Sequence, residues 1–106
     1  MKVAKLKGPQ LDYWVAVAEW GDWQGWKSEE EFRSNAAKFN PSSNWAHGGQ
    51  ILEREISSFS KDDNSETYYA WHKNGTHRAL GDTILEAVMR CYVKSRYGDE
   101  VSDEGF

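Results

Sequence analysis

The sequence predicts a small α+β domain, an antiparallel β-hairpin or small sheet packed with an N-terminal and a C-terminal helix. Three observations predict it. Pro9 to Trp20 is apolar at helical spacing, Gln50 to His72 holds two β-patterned runs around a polar turn, and Thr83 opens an amphipathic stretch that stops at Gly98. At 106 residues, 39% of them hydrophobic, the chain fits one domain spanning 1–106. The acidic segment from Asp99 to Phe106 is expected to fray.

The first helix begins at Pro9, whose fixed φ suits a first helical turn, and ends at Gly21. Leu11, Trp14, Val15 and Ala18 form one stripe, and Tyr13, Val17 and Trp20 form a second beside it. A helix apolar over that much of its circumference needs cover on two sides. A subunit interface or a ligand pocket would supply the second cover, so a homo-oligomer is expected. Gly21 to Trp26 reads as a glycine-punctuated aromatic loop, with Trp20, Trp23 and Trp26 available for a partner or as a lid. Ser28 and Glu31 make a capping box for a short helix carrying Phe32, Ala36 and Phe39, which Asn40-Pro41 would end.

From Gln50 to Phe59 the residues alternate, with Leu52, Arg54 and Ile56 on one side and Ile51, Glu53 and Glu55 on the other. This reads as a strand. Lys61 to Glu66 is a polar turn, and Thr67 to His72 is an aromatic second strand that would pair antiparallel with the first. Asn74-Gly75 marks a further turn. Thr83 and Glu86 cap the last helix, Ile84, Ala87, Val88, Cys91 and Tyr92 form its apolar stripe, and Lys94 and Arg96 favour its carbonyl end.

A net charge of −4 argues against nucleic-acid binding, which needs a basic face. Lys2, Lys5 and Lys7 are the one local basic cluster and read first as a solvated chain end. A lone cysteine excludes an internal disulfide and fits a reducing compartment. With no bilayer-length apolar run and no signal peptide, the expectation is a soluble intracellular protein without a membrane partner.

Three stretches carry a resemblance: Leu11-Asp12-Tyr13-Trp14-Val15-Ala16-Val17-Ala18, the segment from Pro41 to Glu55, and Ala87-Val88-Met89-Arg90-Cys91-Tyr92-Val93 with Tyr97-Gly98-Asp99-Glu100-Val101. They resemble the NinX-like family of bacteriophage accessory proteins. His77-Arg78-Ala79-Leu80 departs from the Gly-Pro-Thr-Pro-like lead-in of that pattern, and Trp20 to Phe39 is particular to this chain. The resemblance implies a phage accessory product in the cytoplasm of an infected bacterium. It implies no known reaction, and an anti-defence role is what such accessory genes suggest.

Enzymatic signatures are thin: there is no nucleophile elbow, P-loop or dinucleotide fingerprint. Cys91 lies on an apolar stripe, and His47, His72 and His77 have no metal-site spacing. Glu53 and Glu55 share a strand face and read as an acid/base pair or as two exposed carboxylates. No catalytic residue, metal or cofactor is therefore assigned. Binding signatures are better. Arg54, read on the side of Leu52 and Ile56, is a structural ion pair or a clamp on a phosphate or carboxylate. Gly48-Gly49 after Trp45 makes a tight turn or brings backbone N–H groups to a ligand. Trp45 and Trp71 are core or an aromatic wall, His47, His77 and Arg78 are further polar contacts, and Arg90 has a helical partner in Glu86. These nine residues form the expected ligand site. The expected function is non-catalytic sequestration of a small anionic, nucleotide-derived signal of ADP-ribose or cyclic-nucleotide type. The other reading is a protein–protein inhibitor or adaptor that meets a host protein through an acidic aromatic surface.

Overall fold

A computed structural model describes residues 1–21 and 26–102. In order they form a 3-10 turn (Val3–Lys5), α1 (Gly8–Trp20), α2 (Glu29–Ala36), α3 (Trp45–Glu55), β1 (Ile56–Lys61), β2 (Tyr68–His72), β3 (Arg78–Gly81) and α4 (Ile84–Tyr97). The strands form one antiparallel sheet in the order β1-β2-β3. The fold class is α+β.

The helix boundaries follow the capping chemistry. Pro9 lies in the first turn of α1, and Gly21 ends that helix at φ +77°. The Ser28 hydroxyl accepts from Glu31 N–H at 3.1 Å, opening α2. The Thr83 hydroxyl accepts from Glu86 N–H at 3.0 Å while the Glu86 carboxylate accepts from Asp82 N–H at 2.9 Å. Gly98 closes α4 at φ +83°.

α4 is the hub. It packs on one sheet face and also against α1, α3 and the N-terminal turn. Leu85, Ala87, Val88, Met89, Cys91, Tyr92 and Val93 of α4 are buried, together with Leu6, Leu11, Val15, Ile51, Ile56 and Ala70. Each aliphatic side chain removed from water in this way contributes about 1.5–3 kcal/mol before conformational entropy is counted. A second, smaller core joins Phe32 and Ala36 of α2 to Ala16 of α1, with Tyr13, Val17 and Trp26 against it. That second core covers the second apolar stripe of α1. Tyr13 and Val17 are thereby partly covered within the chain, while Trp20 is 38% exposed.

One expectation is corrected, and two features go beyond those expected. The run from Gln50 to Glu55 is helical, not strand. Asn44 caps α3 by accepting from Ala46 N–H at 2.9 Å, and Gly48, Ile51 and Leu52 then share the face that meets the core. Extended structure begins only at Ile56, with an irregularity between Ile56 and Ser58 before regular pairing of Phe59 with Ala70. Second, Arg78–Gly81 is a third strand, with Trp71 opposite Arg78 and Tyr69 opposite Leu80. Third, the tail is held as far as Val101. Val101 N–H donates to Met1 C=O at 2.9 Å, Val3 N–H donates to Asp99 C=O at 2.9 Å, and Val101 is buried.

Ala70 and its neighbour Ala79 turn toward α4, so Tyr69, Trp71, Arg78 and Leu80 turn to the opposite face by alternation. Trp71, Arg78 and Leu80 are exposed there.

Candidate functional site

The nine residues expected to form one site do not meet. Arg54 lies near the end of α3, exposed rather than turned to the core, and its guanidinium holds Glu19 of α1 through both terminal nitrogens, one of them at 3.3 Å. Its Nε donates to Glu55 at 2.7 Å. Of the two readings, the ion pair is the one present. Glu55 also meets His72 Nε2 at 3.0 Å, while His72 Nδ1 accepts from Asn74 N–H at 3.0 Å. Burial raises the Glu55 carboxyl, but the hydrogen bonds from Arg54 and His72 outweigh it and hold Glu55 below the usual carboxylate range. Glu53 and Glu55 are two apart on a helix, so the carboxylate pair read on a strand face is not formed.

The Gly48-Gly49 pair lies inside α3 and makes neither a turn nor a backbone cradle. A Cβ on Gly48 would stand 2.5 Å from the Pro41 carbonyl oxygen and 2.8 Å from Leu85 Cδ2. Glycine is there because α3 approaches α4 closely. Trp45, 55% exposed at the start of α3, lines a groove with Tyr68 and Asp82. Trp71 instead lies under Arg78, whose guanidinium carbon is 5.3 Å from the indole centroid. His47 packs on Phe39 and accepts from Asn40 N–H at 3.1 Å. His77 Nδ1 is 3.0 Å from the Asn74 amide in the β2–β3 turn.

Two of the nine do share a cavity. Arg78 and Arg90 line a groove of about 850 Å³ between β3, α4 and the N-terminal segment. Lys2, Lys94, Tyr97 and Leu80 line it with them, and Asp99 and Glu100 complete its polar rim. The β3 edge positions the cations. Arg90 donates to the Leu6 carbonyl at 2.8 Å and the Leu80 carbonyl at 2.9 Å, and pairs with Glu86 at 3.1 Å. Lys94 reaches the Arg78 carbonyl and Asp99, both at 3.3 Å. Lys2 is brought alongside by its bridge to Glu100. Among the described residues, Lys2 and Arg78 have no carboxylate partner. Arg90 is thus a structural tie and the Arg78 guanidinium lies over Trp71 on the opposite sheet face, whereas Lys2 is a charge an anion in the groove could neutralise.

The family model described as "Bacteriophage P22, NinX" matches residues 2–96. The chain belongs to this NinX family. No curated protein matches it. The NinX match runs from Lys2 to Arg96, so it takes in Lys2, Arg78, Arg90 and Lys94 of the groove.

Sequence reading missed Lys2 and Lys94 as members of this groove. Lys2 read as a solvated chain end and Lys94 as a helix-dipole cation. Neither reading anticipates the antiparallel bridge that seats the N-terminus beside α4. It also missed Asp12, the one buried charged side chain among the described residues. Its position between Leu11 and Tyr13 in an otherwise apolar helix was the available signal. Among the described residues no helix is long and apolar enough to cross a membrane. Trp23 of the aromatic loop lies outside the described residues. Trp20 and Trp26 pack with Phe32, their rings at centroid distances of 6.1 and 5.7 Å.

Proposed function

We propose that this NinX-family chain is an anti-defence accessory protein that captures a small anionic, nucleotide-derived molecule and releases it unchanged. The groove between β3 and α4 supports the reading better than the α3 segment does, because Arg54 is already paired. The observation that carries it is Lys2, unmatched by a carboxylate among the described residues, at the rim of an 850 Å³ groove that Arg90 and Lys94 also line. That volume lies in the range of small-molecule sites. Phosphates would meet Lys2 and Lys94, and a base or ribose would lie against Tyr97. Sequestration of this kind asks for affinity and for no catalytic group. ADP-ribose derivatives and cyclic nucleotides are the ligand class.

The test is retention. The purified protein is loaded with bacterial metabolites, separated from free small molecules and denatured, and the released material is analysed by mass spectrometry. An intact nucleotide is expected, and its yield should collapse in a Lys2→Glu/Lys94→Glu variant. A degraded nucleotide would make the protein an enzyme. Equal retention by the charge-reversed variant would remove the groove from the reading.

A host-protein adaptor is favoured by a different observation, the open sheet face. Leu80 is 47% exposed there beside Trp71, and Trp45 is exposed at the far end of α3. Unsupported aromatic and aliphatic surface of this kind is typical of contact patches. A host protein that co-purifies with the wild type, but not with a Trp71→Ser/Leu80→Ser variant, while no metabolite is retained, would establish this reading instead.

A further inference from the structure

β1 is an outer strand of the sheet, and its hydrogen-bonding phase can be read from its end. Asp62 N–H donates to the Thr67 carbonyl at 2.8 Å, continuing the β1–β2 ladder. Bonded pairs alternate along an antiparallel ladder. Ser60 with Tyr69 and Ser58 with Trp71 are therefore the bonded pairs, and the N–H and C=O of Phe59 and Lys61 point away from β2. The β2–β3 side has the same phase: His72 N–H donates to His77 at 2.9 Å, which turns Ala70 toward Ala79. The two sheet edges differ in what covers them. On β3 the outward carbonyls of Leu80 and Arg78 accept from Arg90 at 2.9 Å and Lys94 at 3.3 Å. On β1, Ser57 to Lys61 are all exposed, and among the described residues no side chain donates to the Phe59 or Lys61 carbonyl. Phe59, opposite Ala70, turns to the α4 side of the sheet yet is 43% exposed at its rim.

We propose that the outer edge of β1 pairs antiparallel with β1 of a second copy about a twofold axis at Phe59, joining two three-stranded sheets into one of six strands. An open row of backbone donors and acceptors is a template for another strand. The residues of β1 specify which strand. Ser58-Phe59-Ser60 reads the same in both directions, and a contact about a twofold needs that self-complementarity. The axis sets Phe59 against its counterpart, Ser58 against Ser60 and Lys61 against Ser57. Lys61, the charged residue of β1, thus meets no like charge, and it stands at the end of the strand rather than across its middle. A bonded pair brings the two Phe59 Cα atoms to about 5.5 Å, close enough for each exposed ring to cover the other. Ser57 to Ser60 offer a partner of different sequence no charge to complement. The contact uses no residue of the β3–α4 groove, which lies at the opposite edge of the sheet, so the two readings stand or fall independently.

Sedimentation equilibrium of the full chain from micromolar to millimolar concentration, with amide hydrogen exchange over the same range, tests it. A reversible monomer–dimer equilibrium is expected. The Phe59 and Lys61 amides should gain protection as concentration rises, while those of Ser58 and Ser60, already bonded to β2, stay protected throughout. Phe59→Pro removes an outward N–H and nothing from the β1–β2 ladder, so it should weaken the dimer about ten-fold or more. Phe59→Lys, which sets cation against cation, should do the same. A chain that stays monomeric at millimolar concentration overturns the proposal. So does a dimer that Phe59→Lys leaves intact, or one that forms without added protection at Phe59 and Lys61. Should Phe59→Pro fail to fold, Phe59→Lys and exchange on the wild type decide.

Discussion

The guanidinium of Arg54 grips the carboxylate of Glu19, thirty-five residues earlier in the chain, and so ties the end of α3 to the end of α1. The same guanidinium reaches Glu55 and lies 5.6 Å from the Tyr92 ring, which Arg96 approaches at 5.3 Å. Tyr92 is buried, its hydroxyl has no hydrogen bond in normal geometry, and burial with Glu19 beside it pushes its ionisation well above the usual tyrosine range. The cluster is a joint between three elements, α1, α3 and α4.

Because the Arg54 side chain is 47% exposed and that of Glu19 only 19%, solvent screens most of their attraction. Arg54→Ala should cost about 0.2–1 kcal/mol, and a double-mutant cycle with Glu19→Ala should give a coupling that shrinks in high salt. Urea unfolding measures both. Nucleotide retention should be unaffected by Arg54→Ala.

Gly48 and Gly49 should separate sharply. A Cβ at Gly48 would overlap Pro41 and Leu85, while one at Gly49 meets nothing within 4 Å. Gly48→Ala should destabilise by about 1–3 kcal/mol, and Gly49→Ala should stabilise by about 0.5–1 kcal/mol through helix propensity. Midpoints of urea denaturation would show it.

Arg78 and Arg90 should separate as well. Arg90→Ala removes the guanidinium donor from the Leu6 and Leu80 carbonyls and breaks the ion pair with Glu86, and should cost about 2–3 kcal/mol. Arg78→Ala should change stability by less than about 1 kcal/mol, losing a cation–π contact at an exposed site, and should leave retention in the groove as in wild type. Thermal melts beside a retention assay give the contrast.

Asp12 sets a pH dependence of definite sign. Its folded pKa lies above the ordinary 3.8, with burial as the main cause. Its contribution to stability is therefore complete below that ordinary value and is lost as pH rises through the folded pKa. Relative to wild type, Asp12→Asn should gain stability as pH is raised from 3 to 7. A flat difference across that range would mean that Ser42 compensates the charge fully.

Cys91 is buried and its thiol, 3.6 Å from the His77 carbonyl, is pushed up to about 11 by burial. Disulfide-exchange reagents at neutral pH should leave the folded protein unmodified and label it at once in urea. Labelling of the native state at the rate of a free thiol would place Cys91 on an accessible surface.

Much of this fold was legible in the sequence. Pro9, Gly21, Ser28, Glu31, Thr83, Glu86 and Gly98 mark helix ends through local chemistry that needs no tertiary partner, and each acts where that chemistry puts it. The NinX-family match and the α+β class were legible too. The α3 segment was not. Six residues from Gln50 to Glu55 satisfy a two-residue repeat as well as a helical one, and Gly48-Gly49 weakens the helical signal. The Asn44 cap and the packing of Gly48 on Leu85 decide between them. β3 was equally hidden, since Arg78-Ala79-Leu80-Gly81 has no β-branched residue and is extended because Tyr68 to Trp71 lies beside it.

The sequence by itself determined where most helices start and stop, which residues are apolar enough to be core, and that Arg90 would find Glu86. Those outcomes depend on neighbours within a turn or two. Only the tertiary structure decided the candidate site and the setting of Asp12. The bridge between Lys2 and Glu100 closes a groove beside β3, and the Ser42 hydrogen bond holds Asp12 beside a cavity, each across a long stretch of chain. Arg54 changed role for the same reason, because a switch from strand to helix moves a side chain to another face, here onto Glu19.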